Sequence, residues 1–309
     1  MESTPVSDGS PVAAPDIAAT TTGSSESGPR KISPQLGTVP CPTCGGLSES
    51  SNSADMSYVY ALGRIEARFP SPAVEKEFAQ ATGRSEAAGK TDRQAFCEVL
   101  RKRENRYLAR QLCWVFTVQG LETYLLQPRD PADLDLLVEA ACNSDPEAWI
   151  SLVIGVRGPI APPEMCNGLM LPIVGFDQIY SFDRNSLVKA IPRPPKPPKE
   201  FAAAANELFQ RIMQMTDNAG ATDEHRALNY LVVRYPAVYA AVAAAFERNA
   251  ALSGVDVRPS ALSGTRKVAE VIFTFTNRNT DVDEKSFVRV DITEEFPFLV
   301  TRMAPYYDR

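Results

Sequence analysis

At 309 residues the chain has room for one large domain or two small ones. A formal net charge of −6 argues against any broad attraction for nucleic acid or for an anionic membrane surface. Hydrophobic residues make up 44% and charged residues 23%, ordinary globular values that require neither disulfide nor metal for bulk stability.

The start, Met1-Glu2-Ser3-Thr4-Pro5, has neither the basic nor the apolar region of a signal peptide. The longest apolar run, Ala237 to Phe246, is about half of a membrane span. These features predict a cytoplasmic protein without nucleic-acid or membrane partners. Its six cysteines would then be reduced thiols, metal ligands or core residues.

Residues 1–55 contain no aromatic residue and are dominated by Ser, Thr, Pro, Gly and Ala. Such a segment cannot bury enough apolar surface to offset its ordering entropy, which predicts a disordered tail. It is interrupted by Cys41-Pro42-Thr43-Cys44-Gly45-Gly46. A strand is expected from Tyr58 toward Phe69, and Ser71-Pro72 reads as a helix start. Phe96, Val99, Leu100 and Tyr107 share one face of a helix predicted from about Asp92 to Tyr107. Leu112–Val118 and Thr123–Gln127 read as a hairpin around Gln119-Gly120.

Asp130-Pro131 opens a short helix ending near Asn143. Ile150–Val156 is a buried-strand pattern expected to stop at Arg157-Gly158-Pro159, and a Pro/Gly-rich loop leads to Ile173–Phe176. The Pro-rich linker at 192–199 divides the body, 56–309, into two halves. Three helices follow, the second capped by Thr222 and ended by Pro236. Strands at Val255–Arg258, Val268–Thr276 and Phe287–Ile292 close a single α+β domain, a mixed or antiparallel sheet with packed helices.

The Cys-x-x-Cys turn aims Cys41 and Cys44 at one point, and tetrahedral zinc needs two further ligands. Cys166, in the loop Glu164-Met165-Cys166-Asn167-Gly168, is the best third. Cys113 or Cys142 would be the fourth, with Cys113 in an apolar strand and Cys142 at a helix end. One structural zinc held by Cys41, Cys44, Cys166 and Cys113 competes with unliganded thiols, since free cysteine is most often a small buried hydrophobe.

Other motifs fall short of a catalytic centre. Gly83 to Thr91 spaces its glycines one residue too far apart for a phosphate cradle. His225, the one histidine, follows two acids in a first helical turn and reads as a surface residue or part of a local hydrogen-bond set, and no Gly-x-Ser-x-Gly elbow or His-Glu-x-x-His helix accompanies it. Asn277 to Asp283 alternates oxygen side chains, but Val282 stands where a calcium loop needs glycine. The basic residues Arg101, Lys102, Arg103, Arg106 and Arg110 are offset by Glu98 and Glu104 and read as a solvated helix face.

Several segments carry a family resemblance: Tyr58-Val59-Tyr60-Ala61-Leu62-Gly63, the cysteine motif upstream of it, Asp223 to Tyr230, Phe275 to Asn279, and Phe296 to Val300. From Tyr58 to Arg309 the chain resembles the domain of unassigned function at the C-terminus of patellamide-type (PatG/PatA) maturation proteases, which make cyanobactin macrocycles. The subtilisin-like protease domain of those enzymes has no counterpart here, and His225 is followed by Arg226, so protease activity does not carry over. The resemblance implies a non-catalytic accessory or scaffold protein of a cyanobactin-like ribosomal-peptide (RiPP) pathway. It would be a homodimer that engages a precursor peptide or a peptide-modifying enzyme, through an exposed strand edge as extended peptides often do. A zinc- or thiol-dependent enzyme built on Cys41, Cys44 and Cys166 is the alternative.

Overall fold

A long strand, β1 (Tyr58–Arg68), organises the N-terminal half because it serves two neighbours. Its first six residues pair antiparallel with β4 (Trp149–Ile160), and Arg64–Arg68 pair antiparallel with β2 (Cys113–Val118). From β2 the chain turns at Gln119 and Gly120, both left-handed with φ of 53° and 80°, into β3 (Leu121–Pro128). That is the backbone a two-residue hairpin turn needs. β3 runs parallel to β5 (Pro172–Asp183), which pairs antiparallel with β4 and closes a mixed barrel in the order β1-β2-β3-β5-β4. The computed structural model describes residues 57–83, 91–143, 148–183, 186–187, 201–213 and 217–307.

Side chains alternate across each strand, and the barrel therefore feeds two cores. Val59, Ala61, Trp114, Phe116, Val153 and Val174 pack with the helices α1 (Pro72–Gly83), α2 (Asp92–Arg101), α3 (Arg106–Gln111) and α4 (Leu134–Ala141). On the opposite face Tyr60, Leu62, Leu152 and Ile154 join α5 (Phe201–Met213), α6 (Asp223–Arg234) and α7 (Ala237–Glu247). That second core is completed by an antiparallel sheet in sequence order: β6 (Ala250–Pro259), β7 (Val268–Asn277), β8 (Asp283–Asp291) and β9 (Phe298–Pro305). Phe273, fully buried there, contributes roughly 1.5–3 kcal/mol by leaving water.

The α+β reading holds: seven α-helices accompany one mixed and one antiparallel sheet among the described residues. Local boundaries differ for physical reasons. The helix expected to reach Tyr107 stops at Arg101, where Asn105 Nδ2 donates to the Val99 carbonyl at 3.0 Å and a 3₁₀ turn intervenes. β4 continues past Gly158-Pro159 because the register shifts there, which removes the need for a proline N–H. β5 extends to Asp183 through polar residues, and β9 is a strand that hydrophobic periodicity did not suggest.

The four described cysteines are core residues, one of the readings the sequence offered, but the expectation that they are reduced is corrected. Cys97 bonds Cys142, and Cys113 bonds Cys166, with Cα separations of 5.5 and 5.9 Å. Cys41, Cys44, residues 84–90 and the Pro-rich 192–199 stretch lie outside the described residues. Among the described residues no single helix is long and apolar enough to cross a membrane.

Candidate functional site

A cavity of about 650 Å³ opens where β2 and β3 part. Their pairing runs from the hairpin turn to Val115↔Leu125 and ends there. Beyond that point β2 follows β1, with Trp114 opposite Ala67 and Cys113 opposite Arg68. β3 follows β5 instead, with Leu126 opposite Val174 and Pro128 opposite Phe176. The fork so formed is walled by Leu112, Cys113, Trp114, Leu125 and Leu126, and by Leu134 at the start of α4. Arg110, Gln111 and Gln127 bring polar atoms to it, and all three are exposed. An apolar cavity of this size with a few polar groups at its edge has the build of a ligand site.

Met165 and Cys166, from the β4–β5 loop, complete the wall. The Cys113–Cys166 bond ties this loop to β2, and Cys113, Val115, Leu125, Ala161 and Cys166 form a small core of their own. Both described members of the proposed zinc set are thus consumed by one another, and a disulfide offers no thiolate to a metal. The described donors do not fit zinc in this state, and no group of three or more His, Cys, Asp or Glu among the described residues could hold a metal.

A second, polar site lies where the barrel meets the C-terminal sheet. The buried guanidinium of Arg226 donates to the carbonyls of Ile292, at 2.8 Å, and Glu294, and sits 5.2 Å from the centre of the Tyr58 ring. It borders a cleft of about 350 Å³ with Asp223, Lys267 and Glu294. Beside it Glu295 hydrogen-bonds Asp177, which takes a 2.7 Å hydrogen bond from Arg129. Burial, then the bond to and charge of Asp177, push the Glu295 carboxyl up to about 7, against the pull of Arg129 and Arg226. His225 is half-buried, and burial lowers its pKa. Its Nδ1 is buried without a hydrogen-bond partner, so the local hydrogen-bond set expected from the sequence does not include it. Among the described residues His225, in the first turn of α6, shares no core cluster with the cysteines, which belong to the barrel cores.

The Asn277–Asp283 segment is a hairpin connection between β7 and β8: the Asn277 Oδ1 accepts from the N–H groups of Asn279 and Thr280 at 2.9 and 3.2 Å. Sequence reasoning missed Trp114, Arg110, Asp177 and Glu295 as site residues. Each becomes notable only through pairing that is distant in the chain, for which there was no local signal.

Residues 195–306 match the family model described as PatG C-terminal. The chain carries a PatG C-terminal-like domain. A solved structure titled "PatG Domain of Unknown Function" matches with a TM-score of 0.66 at 20% identity, covering 81% of this chain and 98% of that one. That likeness reaches beyond the family-model match into the barrel, and at this identity it speaks to fold. No curated protein matches.

The PatG C-terminal-like half grips the barrel through the segment before α6 and through α6 itself. Tyr60 donates its N–H to the Gly220 carbonyl at 2.9 Å, on the part of β1 that β2 leaves unpaired. Gly220 is left-handed, at φ 71°, and a Cβ there would collide with Ala61 and the Tyr60 carbonyl, so only glycine fits. Asn229 and Asn218 exchange amide hydrogen bonds and are nearly inaccessible. The Asp223–Tyr230 resemblance segment is therefore a structural joint.

Proposed function

We propose that this chain is a non-catalytic accessory domain of a cyanobactin-like ribosomal-peptide pathway that binds a peptide by an apolar side chain in the barrel fork. The observation that carries the reading is the 650 Å³ cavity, walled by apolar groups from two strands, a helix start and a disulfide-anchored loop. An apolar side chain entering it would leave water against the Trp114 indole, which is itself fixed by donating to the Ala109 carbonyl at 3.1 Å. The PatG C-terminal likeness supplies the pathway half of the reading. Two disulfides weigh against the reducing cytoplasm expected from the sequence.

The chain has two tryptophans, so Trp149→Phe leaves Trp114 as the sole indole reporter. Titration of this variant with a blocked hexapeptide carrying one phenylalanine should give a saturating change in emission. The same peptide with serine in that place should give none. Absence of saturation with either peptide would remove the cavity reading, and mass-spectrometric conversion of the bound peptide would remove the non-catalytic one.

A further inference from the structure

We propose that the fork takes the main chain of an extended, acidic peptide as an added strand between β2 and β3, with the peptide carboxylate on Arg110. The inference rests on the cavity reading and names the class and pose of its ligand. Past Val115↔Leu125 each strand keeps one neighbour, β1 for β2 and β5 for β3, and neither pairs with another strand across the gap among the described residues. Along a strand, successive residues turn their N–H and C=O groups to opposite sides. Within Cys113–Trp114 and Leu126–Pro128 the residues that turn away from β1 and β5 therefore present main-chain groups into the gap, only a carbonyl in the case of Pro128, flanked by an apolar floor. An extended peptide satisfies both: its backbone meets the strand edges and its alternate side chains meet the floor.

The charge at the rim selects an acidic peptide. Arg106, one turn earlier, is engaged by Asp135 at 2.8 Å, and Arg101 donates to the Cys142 carbonyl at 2.9 Å. Arg110 is exposed at the cavity and no acid pairs with it among the described residues. Of the two outer edges of the C-terminal sheet, β6 and β9, the second is partly closed: outward N–H groups of β9, at Leu299 and Met303, donate to the hydroxyls of Tyr230 and Tyr235 at 3.1 and 3.0 Å.

The test uses the full chain carrying Trp149→Phe and the blocked pentapeptide Ala-Glu-Phe-Val-Ala. N-methylation of its Phe and Val amides keeps the side chains and deletes two donors, and should weaken binding about tenfold. Replacing its Glu by Gln should weaken binding about two- to fivefold, and that loss should vanish in Arg110→Gln. Equal binding of the N-methylated peptide, or a Glu preference that persists in Arg110→Gln, overturns the inference while leaving the cavity reading in place. Failure of every arm, including the parent peptide, overturns both.

Discussion

The side-chain amide of Asn229, which is fully buried, donates directly to the main-chain carbonyl of Tyr60 at 2.8 Å, joining residues 169 positions apart. Tyr60 lies on the stretch of β1 that β4 pairs on one side only, so its outward carbonyl needs a partner from elsewhere. The second half of the chain provides it.

Asn229→Ala removes that donor and orphans the Asn218 amide as well. Leaving two buried polar groups unsatisfied costs about 2–4 kcal/mol, measurable as a lower midpoint in urea unfolding. A double-mutant cycle with Asn218→Ala should show coupling of about 1 kcal/mol or more, because both changes break one network. Additive losses would mean the amide pair is not a unit.

Glu295 gives the protein a pH dependence of definite sign. Its folded-state pKa, raised from its ordinary 4.5 to about 7, means that the folded form holds a proton which the unfolded form has released. The resulting stability is fully present below about 4.5 and is lost as the pH rises through about 7. Asp177, Arg129 and Arg226 are the charged groups that act on it. Thermal unfolding of the wild type should therefore occur at lower temperature at about pH 8 than at about pH 5, more so than in Glu295→Gln, which stays neutral. Equal slopes for the two proteins would contradict the assignment.

Tyr230 and Tyr235 act as caps on the β9 edge. Tyr230→Phe and Tyr235→Phe keep the ring packing and delete the acceptor, and each should cost about 1 kcal/mol. Amide hydrogen exchange resolves the effect: Leu299 should speed up in the first variant and Met303 in the second. Unchanged exchange at both would show that the edge is closed by other means.

The Cys113–Cys166 bond closes a loop with a sequence separation of 53. On loop-closure entropy alone that restricts the unfolded chain by about 4 kcal/mol. Cys113→Ser/Cys166→Ser should accordingly lower the unfolding midpoint and, by releasing Met165 from the cavity wall, weaken peptide binding as well. Lower stability with intact binding would show that the loop holds its place without the bond.

Much of the architecture was legible because its signals are local. Gln119-Gly120 names its own hairpin, Thr222 caps α6 by accepting from the His225 N–H, and the apolar, β-rich run Val268–Thr276 is the pattern of a strand buried on both faces. What escaped was set by distant pairing. β5 holds the polar run Asp177, Gln178 and Ser181 in place because β4 pairs along it, with Ser151 and Ser181 sharing a 2.8 Å hydrogen bond. The cysteines illustrate the same limit: spacing offered a turn at Cys41 and Cys44, whereas barrel closure brings Cys113 to Cys166. The cavity exists only because two hairpin strands choose different outer neighbours, a fact no stretch of sequence contains.

Methyl-labelled nuclear magnetic resonance is the most direct test, since it sees every candidate surface at once. On adding the phenylalanine hexapeptide, the methyl signals of Leu112, Leu125, Leu126, Leu134 and Met165 should shift together and saturate, with those of Val255 and Val257 on β6 unmoved. Shifts confined to β6, or none at all at high peptide concentration, would contradict binding in the barrel fork.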